Sequence, residues 1–368
     1  MSNYGDDLFS MAAFLGSQKY WSRHDPWLLC DPIPGLDASY SVLPLIPKGG
    51  LASDGMKGKF FRLSNLIWSS IHLDKIVYAG GSLFGTASSG SRDTLLYLKR
   101  GRKDCFSAIG ISVGPFADSL SEKKIIDTLK RFSYISARDS TSYDRLVSYN
   151  LDSKVVQASD LAGVLPSLVL HNAISSTLKD EVSKGDHIFQ IGFSPCYLPG
   201  SDEKAKYYCD EFISFASRIS SEKFLHVTVI CLNQHPIIGD VALCKYVFNK
   251  LTSRGIDCSF RLYQEEGILE TWNLISKLNA YYSVRLHGAV TAYLSGTPFL
   301  LFEYHEKCTK FLDFIGKPLD QRVEMHQQIG ADLSSIFQKV LDSSVQSKVS
   351  IAEYTHLSEK NFTSAPFV

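Results

Sequence analysis

The stretch YYSVRLHGAVTAYLSGTPFLLFEY, residues 281–304, decides how the rest of the chain is read. It opens as an apolar strand, places an arginine and a histidine two residues apart, runs into a short helical period and returns to a second apolar strand. A buried strand has little use for either polar side chain, so each must be compensated. From Gly288 the pattern suits a short helix, with Gly296 as its C-terminal cap and Pro298 just beyond to start the next strand. Extended residues at i and i+2 point to the same side, so Arg285 and His287 are expected to project together while Leu286 packs the other way. The pair would then lie at a helix N-terminus, where backbone N–H groups and the dipole favour an anion. Arginine grips a carboxylate or phosphate through two parallel hydrogen bonds, and histidine hands over a proton near neutral pH. The competing reading is that Arg285 pairs with a structural carboxylate and His287 only caps the helix.

Outward from this stretch, short apolar runs alternate with helical periods in both directions. HIFQIGFS (187–194), FLHVTVICLN (224–233) and DCSFRLY read as strands around the helices EKAKYYCDEFISFASRIS and VALCKYVFNKLTSRG, the latter stopped by Gly255. An earlier set comprises DKIVYAGG (74–81), CFSAIGIS (105–112), SYISARDS (133–140) and SKVVQASDLA (153–162), with a helix over STSYDRLVSYN capped by Ser140 or Thr141. Two successive runs of this kind predict an α/β protein with two doubly wound, Rossmann-like domains facing a cleft. The expected division is 1–175, 176–330, and a C-terminal helix and tail over 331–368 that ends in polar, irregular sequence, with the first domain as one surface to pack against.

The bulk numbers agree with a two-core globular chain. It has 368 residues, 45% of them hydrophobic, and a mean hydropathy near zero. Lys plus Arg and Asp plus Glu balance at 38 each, which argues against a general nucleic-acid binder. YLKRGRK (97–103) and SEKK (121–124) are cationic, most simply as solvated faces. The eight cysteines stand singly and form no CxxC pair, so a reducing, cytoplasmic setting is expected, without a zinc site or disulfide scaffold. No signal peptide opens the chain and no apolar run reaches the roughly 18 residues of a membrane span.

In doubly wound sheets ligands bind at the carboxyl ends of the strands, in loops that lead into helices. Gly80, Gly81 and Ser82 follow one strand in AGGSLFG, where missing side chains let backbone approach a ligand, although the spacing is no dinucleotide fingerprint. Arg138 and Asp139 end another strand and, taken in isolation, read first as a structural pair. Asp160 closes a third as cap or ligand. Asp6 lies in the NYGDD turn, and His235 and His305 follow strands of the second set. Trp21 and Trp27, in KYW and DPW, offer rings for stacking on sugars or for packing. Walker, G-x-S-x-G, H-E-x-x-H and D-x-D metal patterns are missing.

Taken in order, NYGD, YAGGSLFG, IGISVGPF, SARDSTSY, ASDLA and SVRLHGAVTAYLSGTPFLLFEYHEK resemble the polysaccharide pyruvyl transferase family. The resemblance implies two domains arranged as in GT-B glycosyltransferases. It also implies transfer of the pyruvyl group of phosphoenolpyruvate onto two hydroxyls of a sugar, forming a pyruvate ketal in bacterial exopolysaccharide or cell-wall glycans. By that likeness His287 is the general acid, and Arg138 and Arg285 hold the donor's carboxylate and phosphate from the two domains. Gly80, Gly81, Ser82 and Lys307 join the donor-binding set, and Asp6, Asp160 and His235 are acceptor candidates. Phosphoenolpyruvate is then a co-substrate with no metal or cofactor beside it. The sugar acceptor is free or lipid-linked, and peripheral contact with the inner membrane face stays open. Relatives usually carry a strand before the N-x-G-D turn and an arginine after the first strand of the second domain, where this chain has IGFSPCYLPG. A nucleotide-sugar glycosyltransferase and a non-catalytic glycan- or anion-binding protein are the alternatives.

Overall fold

Leu8–Val169 with Ala352–Val368 form one unit of the computed structural model, and Ser2–Asp7 with Leu170–Ile351 form the other. The structure describes residues 3–33, 35–40, 42, 45–47, 49–51, 53, 55–85, 95, 97–98, 105–170, 188–325, 332–342 and 347–367. Most of the 97–103 and 166–186 passages, with His171, His187 and His326, lie outside the described residues.

The first unit carries helices α1 (Tyr4–Tyr20, from Leu8 onward) and α2 (Gly55–His72) ahead of a four-stranded sheet. Its strands β1 (Ile76–Phe84), β2 (Phe106–Val113), β3 (Tyr134–Ala137) and β4 (Lys154–Gln157) pair in parallel, in the order β1-β2-β3-β4. Among the described residues the order runs one way, without a reversal. Every residue of β2 is buried, as a continuous apolar run in a parallel sheet covered on both faces should be. Helices α3 (Ser119–Leu129) and α4 (Ser140–Ser148) follow β2 and β3. Each is capped by an aspartate, Asp118 or Asp139, that accepts a backbone N–H three residues on. The cap of α4 is therefore Asp139, just before the expected Ser140 or Thr141.

Strand β1 departs from expectation. It was read as ending at Gly81, but it continues to Phe84 with a register shift in its pairing to β2. Gly80 and Gly81 take φ of 71° and 80°, so the chain bends in place, and the register shifts between the Gly81–Ile111 and Phe84–Val113 pairs.

The second unit alternates β5 (Phe189–Ser194), α5 (Asp202–Glu222), β6 (Leu225–Cys231), α6 (Val241–Ser253) and β7 (Asp257–Leu262). A single turn at Tyr263–Glu266 precedes α7 (Ile268–Ser276), β8 (Ala280–Ser283), α8 (Leu286–Ser295), β9 (Phe299–Glu303), α9 (Glu306–Ile315), β10 (Val323–Glu324) and α10 (Leu333–Asp342). The six strands are parallel in the order β10-β9-β8-β5-β6-β7. The chain leaves β5 toward β6 and β7, then returns to build β8, β9 and β10 on the other side. This reversal is the topological switch point of a doubly wound sheet, and it falls between β5 and β8. Phe193 stacks on Phe212 at 4.2 Å, and Phe337 of α10 packs edge-on against Phe212, Phe215, Tyr282 and Phe302. Burial of such a ring contributes about 1.5–3 kcal/mol.

The 285–288 turn is tighter than expected. β8 stops at Ser283 and α8 starts at Leu286, so His287 sits in the first helical turn and not on an extended segment. The Ser283 hydroxyl donates to the Arg285 carbonyl at 2.7 Å and closes the turn early. Gly296 ends α8 in the left-handed conformation, φ 75°, as read from the sequence.

The tail also differs from expectation, because α11 (Ile351–Thr363) is helical where irregular chain was predicted. It buries Tyr354, Ser358, Asn361 and Phe362 in the first unit. Phe362 stacks on Tyr20 at 5.7 Å, the Trp21 indole donates to the Phe362 carbonyl at 3.0 Å, and Ser136 donates to Asn361 at 2.6 Å. Half of that buried face is polar, which hides it from a search for apolar periodicity.

Candidate functional site

Loops leaving β5, β6, β8 and β9 carry the chemistry of the second unit. Arg285 caps α8 with extended backbone and turns its side chain onto Asp240, at the start of α6. Nε donates to Oδ2 at 2.7 Å and Nη2 to Oδ1 at 2.6 Å, a fork-to-fork pair. Asp240 is fully buried and also accepts the Tyr197 N–H at 2.7 Å. Burial pushes its carboxyl up, while Arg285 and the Tyr197 N–H pull it back. The pairing raises the Arg285 guanidinium still further above its ordinary value, against the opposing effect of burial. Cys196, after β5, and Tyr304, after β9, lie close enough to feel the Arg285 charge, and burial pushes the Cys196 thiol up to about 12. The Lys307 ammonium lies 5.5 Å from the Tyr304 ring centroid. His305 accepts the Lys307 N–H through Nδ1 and so caps α9.

His287 is half-buried, with its Nε2 shielded from solvent. Its ring lies against Gly5: a Cβ added there would fall inside contact with Nδ1 and 2.8 Å from Cγ. The N-x-G-D turn is pinned to the same unit. Asn3 bridges Asn233 beyond β6, the Tyr4 N–H donates to the Leu232 carbonyl at 2.9 Å, and the Tyr4 hydroxyl bonds Thr291 of α8 at 2.9 Å. Tyr4 meets Tyr263 edge-on at 5.2 Å, and the Tyr263 hydroxyl donates to Asp7 at 2.7 Å. Burial pushes the Asp7 carboxyl up to about 6, against the pull of that bond. One bridge and one hydrogen bond therefore tie the described N-terminal residues to the chain just beyond β6. Gly5→Ala should displace the imidazole. The expected result is turnover lowered about tenfold or more with a small change in unfolding midpoint, checked by steady-state rates and thermal melts. Unchanged turnover would show that the ring position is irrelevant to the reaction.

In the first unit Arg138, Ser82 and Asp160 come together at the carboxyl ends of β1, β3 and β4. Arg138 donates to Ser112 at 2.7 Å, to Asp160 at 3.2 Å and, at 3.4 Å, to Ser82. Its guanidinium lies 5.9 Å from the Phe9 ring centroid, and that ring fills the bare side of Gly80. The close approach at Gly80 is thus made by Phe9. Asp160 also accepts the Ala162 N–H, so it caps the following turn. Asp139, read as a partner for Arg138, instead accepts from Ser112 and Ser142.

Asp6 is exposed and accepts from Asn3 at 2.9 Å. His235 accepts the Ile237 and Ile238 N–H groups through Nδ1, which holds its own loop. Trp21 is buried, whereas Trp27 is exposed and donates to Asp25. The sequence reading missed Asp240, Asp7 and Ser112. Asp240 had a signal, since it stands at the N-terminus of an obvious helix. Among the described residues no group of three or more His, Cys, Asp or Glu is placed to hold a metal ion, and no helix is long and apolar enough to cross a membrane.

No curated protein matches the sequence. Among solved structures, the S. aureus MnaA–UDP co-structure superposes with a TM-score of 0.55 at 10% identity, covering 96% of this chain and 89% of that one. UDP-GlcNAc 2-epimerase from Methanocaldococcus jannaschii gives 0.54 at 11% identity over 84% and 82% of the two chains. The enzyme from Neisseria meningitidis, bound to UDP-GlcNAc, gives 0.52 at 11% identity over 90% and 86%. At such identities the likeness shows the fold alone, α/β with two Rossmann-like domains of the GT-B kind. The sequence profile of polysaccharide pyruvyl transferases, in contrast, matches residues 3–306, from the Asn3 turn through Arg285 and His287 to the start of α9. The chain belongs to the polysaccharide pyruvyl transferase family.

Proposed function

We propose that the protein transfers the pyruvyl group of phosphoenolpyruvate onto two hydroxyls of a sugar in bacterial exopolysaccharide or cell-wall glycan synthesis. The observation that carries this reading is His287 in the first turn of α8, held against Gly5 and two residues after a charged arginine. As general acid it gives a proton to the methylene carbon of the donor, and the neighbouring carbon becomes electrophilic. One sugar hydroxyl attacks that carbon and loses its proton. The C–O bond to phosphate breaks, and the second hydroxyl closes the ketal as inorganic phosphate leaves. Arg285 uses two of its five N–H donors on Asp240, which fixes the plane of the guanidinium for a carboxylate or phosphate. Lys307 supplies a second cation from the next loop. Asp6 and His235 remain the second unit's polar groups proposed for the acceptor.

Incubation with phosphoenolpyruvate and a panel of nitrophenyl and lipid-linked sugars tests the reading by release of phosphate. Release that requires a sugar supports it. Stabilisation in thermal melts by a UDP-sugar but not by phosphoenolpyruvate would favour glycosyl transfer. Stabilisation by donor with no phosphate released from any acceptor would leave a binding protein.

A further inference from the structure

Helix α2 turns a largely polar side inward and an apolar side outward. Its buried residues are Gly58, Asn65, Leu66 and Ser69. Met56, Phe60, Leu63, Ile67 and Ile71 are exposed, Met56 at 81%, Phe60 at 66% and Ile71 at 74%. At about 100° per residue these five fall within an arc of roughly 80°, opposite the buried side, and they extend along about 22 Å of helix. Lys57 and Lys59 flank the arc, one on each edge, and both are exposed. No aspartate or glutamate occurs between Gly55 and His72, and Arg62 lies on the inward side, donating to the Leu51 and Ser53 carbonyls. Soluble proteins scatter exposed apolar residues singly, and a contiguous row with a charged rim marks an interaction surface.

We propose that this face of α2 docks the protein on an anionic lipid surface. Met56, Phe60, Leu63, Ile67 and Ile71 enter the boundary between headgroups and acyl chains, while Lys57 and Lys59 meet lipid phosphates on either side. The charge pattern selects this occupant over a second copy of the chain. Two α2 helices facing each other would set lysine against lysine with no acidic residue on either to offset them. The inference goes beyond the reaction and does not depend on it, although a lipid-linked acceptor would meet the enzyme at such a surface.

Sedimentation of the full chain with phosphatidylcholine vesicles, with and without phosphatidylglycerol, tests the proposal. The wild type should bind the anionic vesicles and release them as salt is raised. Phe60→Ser with Ile71→Ser should lower the bound fraction by roughly tenfold or more, and Lys57→Glu with Lys59→Glu should abolish the preference for anionic lipid. Both pairs are exposed, so the folded state is expected to persist and phosphate release with a soluble acceptor to stay at the wild-type level. That control separates loss of docking from failure of the proposed reaction. Lack of binding to anionic vesicles, or binding unaffected by the serine pair, would overturn the proposal. So would a concentration-dependent dimer in gel filtration that the serine pair dissolves, since a second copy would then own the face.

Discussion

His287→Ala is expected to lower turnover of phosphate release by roughly 10²- to 10⁴-fold, the range associated with loss of a positioned general acid. The Michaelis constant for phosphoenolpyruvate should change little, because Arg285 and Lys307 keep their charges. The alternative role for His287 is packing, since its ring fills the space over Gly5. The two roles separate in the measurements. A packing residue that is only half-buried would cost about 1 kcal/mol on truncation, seen as a few degrees of unfolding midpoint, with turnover nearly intact. A proton donor loses turnover with the fold retained. His287→Gln sharpens the comparison, because it restores much of the bulk and a hydrogen-bonding group but no titratable proton. Near-normal rates in either variant would remove His287 from the mechanism.

Much of this arrangement was legible in the sequence because parallel strands announce themselves. CFSAIGIS and FLLF are largely apolar runs with no polar alternation, and both are buried throughout. The loops after them are therefore placed at strand ends by the sequence pattern alone. Side-chain partners were less accessible. Arg285 finds Asp240 across 45 residues of sequence, and no local spacing encodes that pairing. The extended reading of 285–287 failed because a single hydroxyl, Ser283, closes the turn one step earlier than periodicity suggests. The glycines of AGGSLFG were legible as glycines but not by purpose. Two positive φ values and the Phe9 ring account for Gly80 and Gly81 without a ligand. Helix α11 escaped because Ser358 and Asn361 share its buried face with Tyr354 and Phe362, and their hydrogen bonds replace the apolar stripe that periodicity detects.

Asp240→Ala should cost about 3–5 kcal/mol of stability, measured by denaturant unfolding, because it leaves the Arg285 guanidinium without its counter-ion in a largely buried position. The side chains of Arg285 and Asp240 are only 18% and 0% exposed, so water cannot fully replace the carboxylate. The Tyr197 N–H would lose its acceptor as well. A double variant, Asp240→Ala with Arg285→Met, tests the cause. With the charge also removed, it should recover a substantial part of the loss, since an apolar replacement of a buried pair is far less costly than half a pair. If the double variant is no more stable than the single one, the stranded charge is not what destabilises the fold. The kinetic consequence is separate. With Asp240 gone, Arg285 is no longer held in one plane, so the Michaelis constant for the donor should rise in whatever fraction remains folded. Arg285→Lys should do the same with less harm to the fold, because a lysine keeps a charge for Asp240 but loses the two-pronged geometry. A donor constant that stays at the wild-type value in both variants would confine Arg285 to a structural role beside β8.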